Sequence, residues 1–261
     1  MLIGLIAGRG KLPEVFREEA RKKGCEVVTV GVKGVTDTQA DQLFPAGKVG
    51  GVMKFFKRRG VSKIVMLGKF EHRLIYSTLL NFDMQALSVL RRAKDRKPAS
   101  LVRAFMEVFE EEGFEFIDPR PFMESLLVEE GVMGRRKPTD EAEEDGLFGF
   151  LIAKEIAELD VGQTVVVKNK AIVAVEAMEG TQATIKRGGE LAGKGVRVVK
   201  VARKSQDFRI DVPVVGPETL EVMGSVGADA LFLEAGKVYV IEKEKFARQA
   251  DRLGISVVGL C

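Results

Sequence analysis

The residues best suited to chemistry in this chain are its carboxylates, because the usual nucleophilic and metal-binding side chains are scarce. The 261-residue sequence holds one histidine, His72, and two cysteines, Cys25 and Cys261, which lie far apart. A Ser-His-Asp triad would depend on that histidine, and no Gly-x-Ser-x-Gly or Walker A segment is present. Zinc sites built from cysteine or histidine also lack their ligands. We therefore expect carboxylates to act as acid, base or metal ligands in any catalytic site.

One acidic pair flanks an arginine in the segment QDFRIDVP, residues 206–213. Its alternation predicts an extended strand with Asp207, Arg209 and Asp211 on one face. On a straight strand the two carboxylates would be roughly 13 Å apart, too far to bind one ion together. We expect Asp211 to line a cleft, because Pro213 forces the strand to leave its ladder or to lie at an edge. A solvated face with ordinary ion pairs is the alternative.

A second acidic group lies in VEAMEGT, residues 175–181. Glu176, Glu179 and Thr181 offer the oxygen donors that suit Mg²⁺, which commonly takes one or two carboxylates together with substrate phosphates and water. The alternative is a turn that ends in a helix N-cap at Thr181. The spacing alone favours neither interpretation.

The N-terminal segment GLIAGRGKLP, residues 4–13, is the candidate phosphate site. Gly8 and Gly10 follow an apolar strand, so that backbone amides and the start of the next helix can approach an anion. A dinucleotide fingerprint would need a third glycine where this chain has Pro13, which disfavours a NAD site. A simple tight turn at the two glycines is the alternative.

Apolar runs that alternate with amphipathic ones predict that the N-terminal part is a Rossmann-like, parallel α/β domain. Residues 132–142, VMGRRKPTDEA, change from basic to acidic around a proline. We therefore place an N-terminal domain at 1–133, a linker at 134–139 and a C-terminal domain at 140–261.

The C-terminal domain is predicted to be α+β with a mixed sheet. It opens with a helix over 140–159, whose N-cap is Thr139. Two hairpins are predicted, around residues 169–170 and around residues 235–237, and a strand is predicted over 208–215.

The charge balance and hydropathy indicate which partners and which cellular compartment to expect for the protein. Lys and Arg number 41 and Asp and Glu number 38, a net charge of +3 that is too small to indicate nucleic-acid binding. No segment approaches the ~18 apolar residues of a membrane span, and the N-terminus does not resemble a signal peptide. We expect a cytoplasmic protein whose membrane contact, if any, is peripheral.

One amphipathic stretch could provide such a contact. It is either a surface for an acylated anion or a core helix with a solvated basic end. Its apolar residues are Leu74, Ile75, Leu79, Leu80, Phe82, Leu87 and Leu90, and its basic residues are Arg91, Arg92, Lys94, Arg96 and Lys97.

Taken in order, the motifs GLIAGxGxLP, PTDExxxD, DxGQ, VEAxEGT and QDxRxDxPxxG resemble the two-domain UDP-2,3-diacylglucosamine pyrophosphatase family of lipid A biosynthesis. The resemblance runs nearly from end to end. It implies a Mg²⁺-dependent hydrolase that converts UDP-2,3-diacylglucosamine to UMP and 2,3-diacylglucosamine 1-phosphate (lipid X) by water attack on the α-phosphorus. It also implies a homodimer at the inner face of the inner membrane and an active site in a cleft between the two domains.

The resemblance also implies roles for individual residues. The essential aspartate of the family lies in the QDxRxDxP segment. The resemblance therefore implies Asp211 as the first candidate for this aspartate and Asp207 as the second, and it implies a catalytic role for Arg209, which lies between them. Asp211 and Glu176 are the implied metal ligands. The implied substrate-binding residues are Gly8, Gly10, Lys11, Leu12, Gln163, Glu179, Gly180, Thr181 and Gln206.

Two other classes of function stay open from the sequence. The N-terminal βαβ pattern suits a nucleotide-sugar or dinucleotide oxidoreductase, which would bind NAD or NADP tightly. The amphipathic stretch suits a non-catalytic acyl-glycolipid-binding protein, or a nucleic-acid binder with steeply salt-dependent affinity. Turnover of the diphosphate substrate would separate the hydrolase from all of these.

Overall fold

The computed structural model describes residues 1–70, 82–95 and 98–261, which form two compact units. The N-terminal unit holds Met1–Glu124 together with Asp207–Asp211, and the C-terminal unit holds Ser125–Gln206 and Val212–Cys261. The boundary between the two units, after Glu124, therefore lies before the linker predicted at residues 134–139. The reason is that a short strand within residues 125–133 pairs with the last strand of the chain. His72 and much of the leucine-rich stretch lie outside the described residues.

The N-terminal unit contains the parallel sheet that alternating strands and helices predict. Its strand order is β3-β2-β1-β4-β5, and every pairing is parallel. Pro13 lies in the first turn of α1, where its missing N–H removes no helical hydrogen bond. The strands are β1 (Leu2–Ala7), β2 (Glu26–Val32), β3 (Gln42–Phe44), β4 (Lys63–Leu67) and β5 (Glu115–Phe116), and the helices are α1 (Leu12–Lys22), α2 (Val49–Arg58), α3 (Met84–Arg92) and α4 (Pro98–Glu111).

Aromatic side chains fill much of the core between this sheet and its helices. Phe56 and Phe109 are fully buried, and Phe109 packs 4.6 Å from the ring of Phe105. Ile210, from the distant segment at Asp207–Asp211, packs against the same core. Ile210 thus packs in the N-terminal unit although residues 125–206, which precede its segment in the chain, belong to the C-terminal unit.

The C-terminal unit is built on a mixed sheet of order β6-β13-β11-β9-β7-β8. Strands β9, β11 and β13 are parallel, whereas β6, β7 and β8 join by antiparallel pairings. A separate parallel pair joins β10 and β12. The strands are β6 (Gly131–Met133), β7 (Thr164–Lys168), β8 (Ala171–Val175), β9 (Arg197–Lys200), β10 (Val214–Val215), β11 (Ala230–Glu234), β12 (Tyr239–Val240) and β13 (Ser256–Leu260), and the helices are α5 (Asp140–Glu158), α6 (Thr181–Ala192), α7 (Pro217–Ser225) and α8 (Lys243–Leu253).

Of the two predicted hairpins, the first is confirmed and the second is wrong. Asn169 and Lys170 have φ of 52° and 54° and connect antiparallel β7 and β8, as a two-residue turn requires. Strand β11 instead lies between β9 and β13, buried along its whole length, and β12 pairs with β10. A continuously apolar run suits such a central parallel strand better than one arm of a hairpin.

Helix α5 covers one face of this sheet, and small residues let it approach closely. A Cβ on Gly146 would lie 2.5 Å from the ring of Phe232, and one on Gly149 would lie 2.6 Å from Val167. Thr139 is the N-cap, as predicted, and accepts a hydrogen bond from the amide of Ala142. Among the described helices, none is both long and apolar enough to cross a membrane.

Candidate functional site

The glycine loop of the N-terminal unit is a tight turn whose amides are already engaged. The Gly8 amide donates to the Leu67 carbonyl at 2.8 Å, and Arg9 and Lys69 exchange backbone hydrogen bonds at 2.9 Å. A Cβ on Gly8 would lie 2.7 Å from the Lys69 carbonyl oxygen, so only glycine fits there. Gly10 has φ of 102°, and its amide donates to Asp37 Oδ1 at 2.9 Å.

The position of this loop nevertheless suits a ligand. It follows β1 and is bonded to the residues after β4, and the strand order reverses between these two strands. Ligands of open α/β sheets bind at the carboxyl ends of the strands at such a point. Arg9, Lys11 and Lys69 are exposed there, whereas Leu12 is buried. An anion that binds the Gly10 amide would take the place of the Asp37 carboxylate.

The five residues Asp207–Asp211 form a turn, and the predicted strand over 208–215 is wrong except at β10. The amides of Ile210 and Asp211 both donate to the Asp207 carbonyl, at 3.0 and 3.2 Å. Asp207, Arg209 and Asp211 therefore do not share one face of a strand. We call residues 207–211 the aspartate turn.

The two aspartates of this turn have different surroundings. The Asp207 carboxylate accepts bonds from Arg209 Nε at 3.0 Å, Nη2 at 2.8 Å and the Arg209 amide at 3.1 Å. These bonds, the guanidinium ones first, hold the pKa of Asp207 below its usual value against the opposing effect of burial. Asp211 lies exposed at the end of the turn. Asp207 is thus the partner of Arg209, and Asp211 is the more accessible carboxylate.

The C-terminal unit holds a buried polar cluster beside the start of α6. Lys200, 7% exposed at the end of β9, donates to Thr181 Oγ1 at 2.8 Å and to Thr164 Oγ1 at 3.3 Å. Its Nζ lies 3.9 Å from Glu176 Oε2. Glu176 also accepts from Thr181 Oγ1 at 2.8 Å and from the Gln163 amide at 3.3 Å. Three predicted site residues therefore share one hydrogen-bonded cluster around Lys200.

Glu179 and Gly180 complete this edge of the unit. Glu179 accepts from Arg187 Nη2 at 2.7 Å and from the Ala177 amide at 3.1 Å. Its own backbone amide, and next the Arg187 guanidinium, lower the pKa of the Glu179 carboxyl. Gly180, with φ of 83°, immediately precedes α6 and has no side chain to cap it. The first amides of a helix have no carbonyl partner within it and can donate to an anion.

The donor set around Glu176 does not fit a metal ion. An ammonium at 3.9 Å and two hydrogen-bond donors already balance this carboxylate. Within residues 1–70, 82–95 and 98–261, no group of three or more His, Cys, Asp or Glu side chains could hold a metal. Mg²⁺ can also be held by a single carboxylate together with substrate phosphates and water, which requires no such group.

Gln206 is the last residue of the C-terminal unit before the aspartate turn. Its side-chain oxygen accepts from the Arg203 amide at 3.3 Å, so the glutamine helps to shape the approach to the turn.

Lys200 and Asp37 are functional candidates that were not predicted from the sequence. Lys200 had a visible signal, because a lysine that follows the valine-rich segment VRVV, residues 196–199, is expected to lie at the end of a buried strand and to need a partner. Asp37 had none, since its bond to Gly10 joins residues far apart along the chain.

The N-terminal unit also has a surface cavity of about 530 Å³, which lies apart from the glycine loop. Several of its residues precede or begin β2, whereas the glycine loop follows the carboxyl end of β1. None of the predicted site residues lines it. Its lining consists of Arg21, Gly24, Cys25, Glu26, Val27, Val28, Asp41 and Arg59.

Comparisons with known proteins match both units. The family model described as the LpxI N-terminal domain matches residues 2–126, and the one described as the LpxI C-terminal domain matches residues 129–258. The protein named UDP-2,3-diacylglucosamine pyrophosphatase LpxI from Caulobacter vibrioides is 29% identical over 273 residues, with 99% of this chain and 97% of that protein covered. A solved structure of the biotin carboxylase domain of a thermophilic 2-oxoglutarate carboxylase bound to ADP is 15% identical, with a TM-score of 0.23, 63% of this chain and 34% of that chain covered. A TM-score this low carries no argument about function.

Proposed function

The chain belongs to the LpxI family, and on that premise we propose that it hydrolyses UDP-2,3-diacylglucosamine in lipid A biosynthesis. The observation that carries this proposal is that both LpxI domain models match, in order, with only residues 127 and 128 between them. The Caulobacter relative, which is named for this activity, aligns over 99% of the chain. The products would be UMP and 2,3-diacylglucosamine 1-phosphate, with water attacking the α-phosphorus.

We propose Asp211 as the carboxylate that acts on the reacting water or on the groups that orient it. Its exposure at the end of the aspartate turn supports this role. Asp207 is a weaker candidate, because Arg209 engages both of its oxygens and lowers its pKa, which makes it a poor base. We assign Asp207 the task of holding the turn and Arg209 the task of facing phosphoryl oxygens with its remaining N–H groups.

The C-terminal cluster offers groups that suit a diphosphate. The backbone amides of Gly180 and Thr181 at the start of α6 and the nearby Lys200 ammonium provide positive potential. Gln163 and Glu179 border the same place and offer polar contacts to uridine or sugar hydroxyls. In the N-terminal unit, Gly8, Gly10, Lys11 and Leu12 form the proposed binding loop, in which a phosphate would compete with Asp37. Gln206 is the remaining proposed substrate contact.

We also propose Mg²⁺ dependence, with Asp211 as the carboxylate ligand and without Glu176. The bound ion would neutralise charge on the phosphoryl oxygens. The role of this chain is to hold the Asp211 carboxylate at a fixed place and to supply positive groups around the diphosphate.

A surface of α3 suits the acyl chains and a membrane. Met84 is 69% exposed and Leu87 38% exposed, and Arg91 and Lys94 follow on the exposed side of the chain. Apolar side chains beside cations favour an anionic bilayer surface. We propose that the protein is cytoplasmic and binds the inner face of the inner membrane there.

We further propose a homodimer. The exposed Leu147 and Leu151, one turn apart on α5, are 53% and 68% exposed and supply apolar area for self-association. Light scattering on the purified protein tests this: a mass of one chain at micromolar concentration would reject the dimer.

The activity is tested with purified protein, UDP-2,3-diacylglucosamine and Mg²⁺, with UMP followed by chromatography. We expect UMP to accumulate with enzyme and to stop on addition of EDTA. Asp211→Asn should lower kcat by at least about 10³-fold, whereas Asp207→Asn should lower it by about tenfold through the loosened turn. An active Asp211→Asn variant beside an inactive Asp207→Asn variant would reverse our assignment. Tight binding of NAD without UMP release would favour the oxidoreductase instead.

A further inference from the structure

We infer that Phe208 and Arg120 are positioning residues, which fasten the aspartate turn to the N-terminal unit and thereby fix Asp211. The inference rests on the proposed function for its kinetic test. It concerns the five residues 207–211, which group with the N-terminal unit although Gln206 and Val212 on either side belong to the other unit.

Phe208 is the anchor of the turn. Its side chain is 5% exposed, and the Arg120 guanidinium carbon lies 4.2 Å from its ring centroid. That distance is well inside the range of an effective cation–π contact. Ile210, two residues on, packs against the core of the N-terminal unit. Phe208 is thus buried against Arg120 and Ile210 is partly buried against the core, which explains why their alternation does not mark a strand.

Arg120 is itself held in place, so it can orient what lies on it. Asp118 Oδ2 accepts from Arg120 Nε at 2.8 Å and from Nη2 at 2.5 Å, and Asp118 Oδ1 accepts from the Arg120 amide at 2.8 Å. Two bonds to one carboxylate fix the plane of a guanidinium. The ring of Phe208 therefore packs against a flat, oriented group.

Hydrogen bonds within the turn connect this anchor to Asp211. The Asp211 amide donates to the Asp207 carbonyl at 3.2 Å, and Arg209 closes the turn from the other side by its bonds to the Asp207 carboxylate. The backbone of Asp211 therefore follows the position of Phe208. Loss of the anchor would displace Asp211, and Arg209 with it, without removing any group that is proposed to contact substrate.

The kinetic test compares Phe208→Ala with Phe208→Tyr and with Val28→Ala as a matched control. Val28 is buried on β2 in the core of the N-terminal unit, which Ile210 contacts, and it is not part of the turn. We expect Phe208→Ala to lower kcat by about 10²-fold with KM changed less than about threefold, because a small displacement of a reacting group has that effect. Phe208→Tyr should recover kcat to within about fivefold of the wild-type value, and Val28→Ala should retain it.

Arg120→Ala should resemble Phe208→Ala. The double variant should lose little more than either single variant, since the two residues act as one unit. Additive losses would show that they act separately and would overturn the inference. An equal fall of kcat in Phe208→Ala and Val28→Ala would also overturn it, because general destabilisation would then suffice.

A second measurement does not depend on activity. Limited trypsin digestion followed by mass spectrometry reports cleavage of the bond between Arg209 and Ile210. We expect that bond to be cut at least about tenfold faster in Phe208→Ala than in the wild-type protein or in Val28→Ala. Unchanged cleavage in Phe208→Ala would refute the anchor. If the wild-type protein does not hydrolyse the substrate, the proposed function fails, and the digestion still decides whether Phe208 holds the turn.

Discussion

Replacement of Lys200 by Met separates the structural role of the buried cluster from its role in binding. The side chains of Lys200 and Glu176 are 8% and 12% exposed, with 3.9 Å between Nζ and Oε2. At that separation two unit charges attract by about 4 kcal/mol with an effective dielectric constant of about 20. Removal of one partner of such a pair typically costs 3–5 kcal/mol, because the other charge stays buried. We expect Lys200→Met to lose about 3–4 kcal/mol of unfolding free energy.

The assay is urea unfolding followed by far-ultraviolet circular dichroism, since the chain contains no tryptophan for fluorescence. The matched control is the double variant Lys200→Met/Glu176→Gln, which removes both charges. In Gln the side-chain oxygen can still accept from the Gln163 amide, and the NH2 group can donate to Thr181 Oγ1, which has lost Lys200 as a donor. We expect the double variant to recover stability to within about 1.5 kcal/mol of wild type. A loss below about 1 kcal/mol in Lys200→Met, or a double variant no more stable than it, would show that the two buried charges do not stabilise each other.

The same double variant then reports on binding. We expect its KM for UDP-2,3-diacylglucosamine to rise by at least about tenfold although its fold is restored, because the ammonium that can donate to phosphoryl oxygens is gone, whereas the net charge of the cluster is unchanged. A restored fold with unchanged kinetics would make Lys200 a structural residue only.

Two further predictions concern stability. Burial alone would raise the pKa of Glu234, but hydrogen bonds from Lys154, the Ala202 amide and Lys237 lower it. The ionised Glu234 carboxylate therefore stabilises the folded protein above the unfolded pKa of about 4.3, and this contribution is lost as pH falls through the lower folded pKa. The Tm difference between wild type and Glu234→Gln should therefore shrink between pH 6 and pH 3, and a constant difference would contradict the prediction. Gly8→Ala should lower the unfolding free energy by more than about 1 kcal/mol, because its Cβ would meet a backbone oxygen at 2.7 Å; an unchanged urea midpoint would contradict this.

The sequence predicted correctly those parts of the fold whose conformation depends on residues close together in the chain. Pro13 in the first turn of α1, Thr139 as a helix N-cap and the turn at Asn169-Lys170 all follow from the conformations that these residues prefer. The second hairpin was not predictable in this way. Strand β11 pairs with β9 and β13 rather than with its neighbour along the chain, and such pairing depends on the whole sheet.

The candidate site shows the same division. The acidic segment was found, but its predicted conformation was wrong, because Phe208 and Ile210 suit either a strand face or a turn with one buried and one partly buried apolar side chain. Only the distant Arg120 and the core of the N-terminal unit decide between them. The occupation of the Gly10 amide by Asp37 likewise depends on a contact between loops that no local pattern encodes.

Hydrolysis in water enriched in ¹⁸O reports both whether the substrate is cleaved and which phosphorus is attacked. We expect the protein to release UMP from UDP-2,3-diacylglucosamine and mass spectrometry to find the label in UMP, because water attacks the α-phosphorus. Label in 2,3-diacylglucosamine 1-phosphate would contradict that site of attack. Absence of UMP release by the folded protein with Mg²⁺ would contradict the proposed activity itself.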